Sequence, residues 1–461
     1  MNKIQQAWNA VKSAWSVYKP GFAMVIGSSF AWGFKTKSSQ LTEGYRNKIV
    51  YATVNVLTRK LLEAPLIVSK VVDEKSNRKT KSFNFSQGNE TGKYNVLRAK
   101  ALEELDKHDL IDLLNEPNPY QVGMQMMDHF WHNYELTGDG YIWAELSDFG
   151  RNEGMPVFLH SLQADRVVPY REGGDWRDPI TYYTFTTWDG TQVRIDPSEI
   201  MHMTKWSPLD PILGGMSPQL AGGLTIAKNN ANEVAQGSAF QNGGTGTIIG
   251  SDSLVVDGKQ YYKLNAEQVT SIKNTVQNDW AGASNSGKIH VTNGMVNVQK
   301  LGDTLVDLNA IEANKEDVQA IAGLWGVNSV LLGDKSGGTE NNVSAAYKAL
   351  VTNVIVTELR MFDMMFKRFS KNWYKNENLD VSHDLTEFSE LAPDLKLMKE
   401  VYGDAWYISG NEKRKIFNMD QGNDPILDKY LIPSSLTPSD MLTEQDFSAD
   451  AEQGKQYNDY N

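Results

Sequence analysis

Residues 282–289 spell GASNSGKI, which fits the phosphate-binding pattern G-x-x-x-x-G-K, with Lys288 in the phosphate-contacting position. A working loop of this kind follows a strand, opens a helix that receives the phosphates, and supplies a Ser or Thr hydroxyl to Mg²⁺. Here a predicted helix over residues 265–280 precedes the loop, a predicted strand follows it, and Ile289 replaces the hydroxyl residue. The pattern therefore predicts a helix-to-strand turn, and a nucleotide hydrolase is the rival hypothesis.

A second chemical candidate is the pair His129 and His132, which share one face of a predicted helix with Asp128 and Glu135 nearby. The spacing is not HExxH, and no third ligand is evident. The same helix carries Phe130, Trp131 and Tyr134. This favours a packing helix over a metal site. No nucleophile elbow is present either, so the sequence predicts no catalytic residue, no cofactor and no metal.

Composition limits the protein classes further. The 461 residues are 40% hydrophobic and include no cysteine, which excludes disulfides and thiolate sites and fits a reducing cytoplasm. A net charge of -12 argues against a broad basic surface that grips nucleic acid. The most apolar stretch, residues 22–34, is too short to span a bilayer, so no membrane partner is expected.

Hydrophobic spacing predicts an α+β chain with a small insert between two helices. A helix is expected over residues 45–63, an exposed polar loop over 73–92, and mixed helices and strands over 108–202. Further elements follow in the second half of the chain: a helix over 217–244, a βαβ-like insert, a helix from about 306 to 325, and a long helix over 342–369.

Several separated blocks together resemble the portal proteins of tailed phages. They are LLNEPNPYQ at 113–121, LTGDGYIWAEL at 136–146, GMSP at 215–218, FQNGG at 240–244, IAGLWGVN at 321–328, LLG at 331–333 and GNEKR at 410–414. Asp139 and Gly140 depart from the usual Asn-Ala, while Trp325 and Asn328 replace Phe and Pro. Each block alone is weak, and their order along the chain carries the resemblance.

The resemblance implies a phage portal fold with a wing, two stem helices that bracket a small α/β clip, a long kinked wing helix and a helical crown. In order, the implied parts are a mobile arm (1–40), wing (41–216), first stem helix (217–244), clip (245–304), second stem helix (305–328), tunnel loop and wing helix (329–394), crown (395–432) and a disordered acidic tail (433–461).

The resemblance also implies where DNA would be met. A tunnel loop would face DNA with Lys335, Ser336, Gly337, Gly338, Thr339, Glu340, Asn341 and Asn342. On the second stem helix, Glu312 and Glu316 are spaced to share a face. We hypothesise that this face, or that of Asp317, lines the channel, and the open alternative is an outer solvated face.

The implied function is a non-enzymatic channel for packaging and ejecting double-stranded DNA at one capsid vertex. Its implied partners are other copies of itself in a ring, usually a dodecamer, double-stranded DNA, the large terminase motor, a head-tail adaptor, the major capsid protein and a scaffold. Its implied location is the virion, with assembly in the host cytoplasm. A different ring-shaped virion component, such as an adaptor, is the remaining alternative.

Overall fold

The computed structural model describes residues 36–85, 91–148, 153–172, 179–208, 212–242, 247–251, 255–256, 259–260, 266–275, 296–300, 310–333, 339–374, 377–391, 408–416, 419 and 422–429. Four predicted features lie outside the described residues: most of the N-terminal arm, the turn at 282–289, Lys335–Gly338 of the tunnel loop, and the acidic tail.

The described helices follow the predicted order in the chain. They are α1 (Lys37–Ser39), α2 (Lys48–Leu61), α3 (Glu74–Lys81), α4 (Thr91–Ala101), α5 (Asp109–Asn115), α6 (Gly123–Thr137), α7 (Pro218–Ala221), α8 (Gly223–Asn242), α9 (Ala266–Thr275), α10 (Ala310–Gly323), α11 (Glu340–Leu350), α12 (Val356–Phe369) and α13 (Gly410–Ile416). Among them, no helix has both the length and the apolar composition needed to cross a membrane.

The described strands form small sheets of two or three strands. The strands are β1 (Leu66–Val71), β2 (Leu102–Glu104), β3 (Asp139–Leu146), β4 (Pro156–Leu162), β5 (Val167–Tyr170), β6 (Tyr182–Thr186), β7 (Gln192–Ile195), β8 (Ile200–Thr204), β9 (Thr247–Ser251), β10 (Val255–Val256), β11 (Lys259–Gln260), β12 (Val296–Lys300) and β13 (Leu379–His383). Their spatial orders are β13-β1-β2, β4-β3-β8, β5-β6-β7, β9-β12 and β10-β11.

The chain divides into two compact units. The first comprises Met1–Leu66 and Lys107–Asn376, and the second comprises Ile67–Asp106 and Glu377–Asn461. The second unit thus joins a segment from within the predicted wing to the C-terminal part of the chain.

In the first unit, the sheet β4-β3-β8 is covered on both faces. Its Tyr141 face packs against the sheet β5-β6-β7 through a core that includes Tyr183 and Ile195. Its other face, which carries Ile142 and Ala144, lies against α6. Strands alternate their side chains between two faces, so one three-stranded sheet separates a β layer from a helical layer.

The predicted helix over 217–244 is observed as two helices, α7 and α8, separated at Gly222. Glycine is a poor helix former, and a second glycine follows at position 223. The predicted helix over 342–369 is observed as α11 and α12, joined by a π-helical turn at Val351–Ile355. One extra residue per turn at such a point changes which side chains follow the buried face.

The predicted exposed loop over 73–92 is wrong for part of its length, because α3 occupies Glu74–Lys81 in the second unit. Asp73 caps this helix by accepting a hydrogen bond from the backbone N–H of Lys75 at 3.0 Å. Glu74 lies in the first turn and basic residues lie in the last, as the helix dipole favours. Lys81 then pairs with buried Asp380 of β13 at 2.6 Å.

Candidate functional site

Three of the sequence blocks that resemble portal proteins, at 136–146, 215–218 and 321–328, meet at the C-terminal end of α6. The backbone oxygen of Leu136 accepts hydrogen bonds from the Ser217 hydroxyl and, at 3.1 Å, from the Gln219 amide. The indole N–H of Trp325 donates to the backbone oxygen of Glu135 at 3.1 Å. We call this place the α6 junction. The residues that precede α8 and those that follow α10 are both tied to it.

Close backbone approach makes the junction possible. Gly138 ends α6 with φ of +84°, a conformation that favours glycine. A β-carbon on Gly215 would lie 1.9 Å from the backbone oxygen of Gly138. That same oxygen accepts a hydrogen bond from the backbone N–H of Lys205 at 2.8 Å. The glycines therefore allow the end of β8 and the start of α7 to contact the α6 terminus.

The first charged cluster of the junction is centred on Lys205. Its ammonium lies 3.1 Å from Oε2 of Glu135 and 2.8 Å from Oε1 of Glu358, and 4.3 Å from the ring centre of Tyr134. Burial, together with the charge of Glu358, raises the pKa of Glu135 well above its usual value. Burial opposes the charge of Lys205, but Glu135 and Glu358 outweigh it and raise the pKa of that ammonium. Lys205 therefore stays charged and links α6 to α12.

The second charged cluster is centred on Asp139, which is fully buried at the start of β3. Its carboxylate lies 3.0 Å from Nζ of Lys37 and 2.9 Å from Nε2 of His202, and it accepts the backbone N–H of Gly215 at 2.7 Å. Burial works to raise the pKa of Asp139, but the bond with His202 and the charge of Lys37 hold it below its usual value. Burial lowers the pKa of His202 despite its bond with Asp139.

The departures from the family pattern have physical reasons at this junction. The carboxylate of Asp139 forms an ion pair with the ammonium of Lys37, which an asparagine could not form. A β-carbon at Gly140 would lie 2.7 Å from Cε2 of Phe130, so a glycine lets α6 approach β3. Trp325 supplies an N–H donor that a phenylalanine lacks. Asn328 caps the short 3₁₀ helix Ser329–Leu332 through the backbone N–H of Val330, at 3.0 Å.

The predicted channel-lining residues of α10 divide into two kinds. Glu312 and Glu316 are exposed. Asp317 is 1% exposed, and its carboxylate lies 2.6 Å from Nζ of Lys228 and 3.4 Å from Nδ2 of Asn229, both on α8. The geometry therefore assigns Asp317 to the contact between α8 and α10. The channel hypothesis is thereby narrowed to Glu312 and Glu316.

The described end of the predicted tunnel loop is the start of α11. Thr339 is its N-cap, and its hydroxyl accepts a hydrogen bond from the backbone N–H of Asn342 at 3.3 Å. Thr339, Glu340, Asn341 and Asn342 are all exposed. A loop anchored in this way would present small polar groups at the N-terminal end of α11.

The paired histidines of α6 have separate local partners. Nδ1 of His129 lies 2.9 Å from the side-chain amide of Gln121, and Nδ1 of His132 lies 3.1 Å from Asp128. Elsewhere on α6, Phe130, Trp131 and Tyr134 are buried. The packing interpretation of this helix is therefore confirmed. Within the described ranges, no group of His, Asp and Glu residues is arranged to hold a metal ion.

Sequence reasoning missed the charged residues of the junction, namely Lys37, Glu135, Asp139, His202, Lys205 and Glu358. They are distant in sequence, and apart from Asp139 their local pattern does not distinguish them from solvated charges. One available signal was Asp139, because an aspartate between two glycines at the start of an apolar strand requires a partner.

The fold is similar to that of chains in solved particle structures. A chain in the neck of the native gene transfer agent (GTA) particle, computed with C12 symmetry, matches with a TM-score of 0.58 and 21% identity, covering 85% of this chain and 96% of that chain. A chain in the virion of the native gene transfer agent matches with a TM-score of 0.58 and 20% identity, covering 87% and 98%. An uncharacterized protein of Rickettsia bellii is 25% identical over 329 residues, which is 70% of this chain and 80% of that protein.

The model of the phage portal protein family matches residues 93–418, well over half of the chain. The chain belongs to the phage portal protein family. Members of this family are structural components of the particle and not enzymes. The nucleotide hydrolase hypothesis for residues 282–289 is therefore set aside.

Proposed function

We propose that this chain is the ring-forming portal subunit of a virion, placed where DNA enters and leaves the particle. The observation that carries the proposal is the family match over residues 93–418, which spans every block that meets at the α6 junction. The GTA neck chain of similar fold was computed with C12 symmetry, so we infer a ring of twelve subunits. Cyclic rings of identical subunits are a common form of closed assembly.

Within the ring, α8 and α10 would be the stem helices, and the elements from β9 to β12 would form the clip. Residues 41–216 would form most of the wing, and residues 395–432 would form the crown. The large terminase motor and later the head-tail adaptor would dock at the clip, while the major capsid protein and a scaffold would surround the ring during assembly in the host cytoplasm.

The channel itself would be lined by weakly interacting or acidic groups. DNA must slide without being trapped, and carboxylates repel phosphates whereas clustered Lys and Arg retain them. Glu312 and Glu316 are exposed on α10 and fit this requirement. A density map of the ring that places both carboxylates on the outer surface of the stem would contradict this assignment.

The loop from Lys335 to Asn342 would contact the DNA backbone and not the bases. Its small polar side chains lack the paired donors and acceptors that recognise base edges. At its described end, the N-cap Thr339 fixes the start of α11. The loop would therefore hold DNA by position, without sequence preference.

Deleting Gly337–Glu340 is expected to impair packaging or retention of DNA while rings still form. The change removes the part of the loop that would touch DNA, together with the N-cap of α11. A packaging assay that measures nuclease-protected DNA, combined with electron microscopy of the rings, tests this. The matched control is Thr339→Ala, which removes only the cap and should package normally. Normal packaging by the deletion variant would refute the DNA role of the loop.

A further inference from the structure

The outer face of the sheet β5-β6-β7 carries arginines stacked on aromatic rings. Tyr170 and Tyr182 stack with ring centres 4.9 Å apart, and the guanidinium carbon of Arg194 lies 3.9 Å from the ring centre of Tyr182. The guanidinium carbon of Arg166 lies 3.4 Å from the ring centre of Trp188. We call these five side chains the arginine–aromatic face.

This face takes no part in the core of its own subunit. On β6, Tyr183 points into the core, so its neighbour Tyr182 points away. On β7, Ile195 is buried, and its neighbour Arg194 is exposed. Trp188, in the turn between the two strands, is 83% exposed. Trp188 and Arg194 are therefore exposed, while Arg166, Tyr170 and Tyr182 are half-buried in the stacks that they form.

The composition and geometry of the face suit a protein partner. Trp, Tyr and Arg are the residue types that dominate the binding energy of protein interfaces. Stacking on rings also restricts the arginines before binding, which lowers the entropy lost when their N–H groups meet a carboxylate. Planar guanidinium groups match carboxylates with two parallel hydrogen bonds.

Nucleic acid is a poorer fit. The turn beside Trp188 contains Asp189, whose pKa is held at about 2 by hydrogen bonds from Thr187 and Thr191. Hydrogen bonds with Ser198 also lower the pKa of Asp196, just beyond Arg194. Both carboxylates are therefore ionised at neutral pH and flank the two arginines. Phosphate affinity needs a surplus of positive charge, which this face lacks.

A complementary surface exists on α5 of the same unit. Asp109 and Asp112 are exposed and spaced to share a side of the helix, and the C-cap residue Glu116 is exposed at its end, while Leu110 and Leu114 of the helix are buried. We call these three carboxylates the α5 acidic stripe.

The stripe and the arginine–aromatic face lie on opposite sides of the sheet β4-β3-β8. Helix α5 packs against α6, which covers one face of that sheet, and it contacts the edge strand β4. The sheet β5-β6-β7 covers the other face. Within one copy, the arginine–aromatic face therefore cannot contact the α5 acidic stripe. The face of one copy can contact the stripe of another copy.

We propose that in the ring the arginine–aromatic face of one subunit binds the α5 acidic stripe of the next copy of this chain. This inference rests on the proposed ring. A closed ring uses head-to-tail contacts, so each subunit must present two different, complementary surfaces on two sides. The arginine–aromatic face and the α5 acidic stripe meet that requirement. The partner that binds the face is therefore a second copy of the chain.

Paired charge reversals of the full chain test the inference. Variant A carries Arg166→Glu and Arg194→Glu, and variant B carries Asp112→Lys and Glu116→Lys. Each alone brings like charges together at every contact, and we expect its ring fraction to fall about tenfold or more. An equimolar mixture should restore rings, because an alternating order of A and B places opposite charges at every contact. Electron microscopy measures the ring fraction. Native mass spectrometry measures whether each ring contains A and B in equal numbers, as an alternating order requires.

The matched control reverses an exposed ion pair elsewhere. Arg78→Glu with Glu74→Lys alters a pair on α3 whose side chains are 84% and 70% exposed. This variant should form rings like the parent chain. Thermal unfolding identifies any variant that has lost its fold, and if A unfolds, B alone decides the question because its changes lie on an exposed helix side.

Each outcome assigns the face clearly. Rings at the parental level from A or B, or no rings from the mixture of folded variants, would overturn the inference and leave the portal proposal intact. Rings that form normally from A but lose binding to a labelled oligonucleotide would assign the face to nucleic acid. A parent chain that forms no ring under any condition would overturn the proposed function itself.

Discussion

Replacing Lys205 by methionine is expected to lower the free energy of unfolding by about 3–5 kcal/mol, the usual cost of removing one partner from a buried ionic cluster. The lysine lies within 3.2 Å of Glu135 and Glu358, and its loss would leave two carboxylates facing each other. Urea or thermal unfolding of the purified chain measures the change.

The matched control is Lys348→Met, an exposed lysine on α11, which should change stability by no more than about 0.5 kcal/mol. A triple variant, Lys205→Met with Glu135→Gln and Glu358→Gln, should recover most of the loss because no net charge remains buried. An equal loss in the control, or no recovery in the triple variant, would contradict the electrostatic account of the junction.

The stability lost in the Lys205→Met variant should also depend on pH in a defined direction. The folded pKa of Glu135 already lies above its unfolded value, so the folded state binds more protons and stability falls as pH rises between the two values. Lys205 normally lowers this pKa, so its removal raises it further and widens the window. The stability deficit of the variant should therefore be larger at pH 8 than at pH 5.

Removing the carboxylate of Asp139 is the second large effect expected. Asp139→Ala would leave Lys37, His202 and the backbone N–H of Gly215 without their shared partner, at a cost of about 3 kcal/mol. The matched control is Asp148→Ala, an exposed aspartate just beyond β3. Thermal unfolding of both variants decides, and equal stability of the two would contradict a structural role for Asp139.

The stability of the Asp139→Ala variant should also depend on pH in a defined direction. The folded pKa of His202 lies below its unfolded value, so the unfolded state binds the proton first and stability falls as pH drops below about 6.5. Asp139 raises the pKa of His202, so the Asp139→Ala variant should lose stability more steeply over this range. A flatter profile than that of the parent chain would contradict the contact.

Local patterns predicted the elements of the fold well where one face is apolar. Helix α2 follows from the helical spacing of Ile49, Ala52, Val56 and Leu61, of which Ile49 and Leu61 are buried. Helix α6 and strands β3 and β4 are likewise observed where the pattern predicts them. Helix α3 was missed because its sequence, EKSNRKTK, has no apolar residue. Its signal was the cap, since Asp73 followed by Glu74 and a basic end is typical of a helix.

The site could be predicted only in part because its contacts are nonlocal. The resemblance identified the blocks around Gly138, Ser217 and Trp325 but not that they meet at one helix end. Burial of charge depends on partners 70 or more residues away, as for Lys205 with Glu135. Asp317 illustrates the same limit: it was a candidate for the channel lining, whereas it is buried and paired with Lys228 of α8.

Assembly into a ring is tested by negative-stain electron microscopy of the purified full-length chain, with and without the major capsid protein. We expect end-on class averages of a ring with an open axial channel and twelvefold rotational symmetry, as in the GTA neck. Monomers or dimers under both conditions, in a chain that melts cooperatively, would contradict the portal assignment.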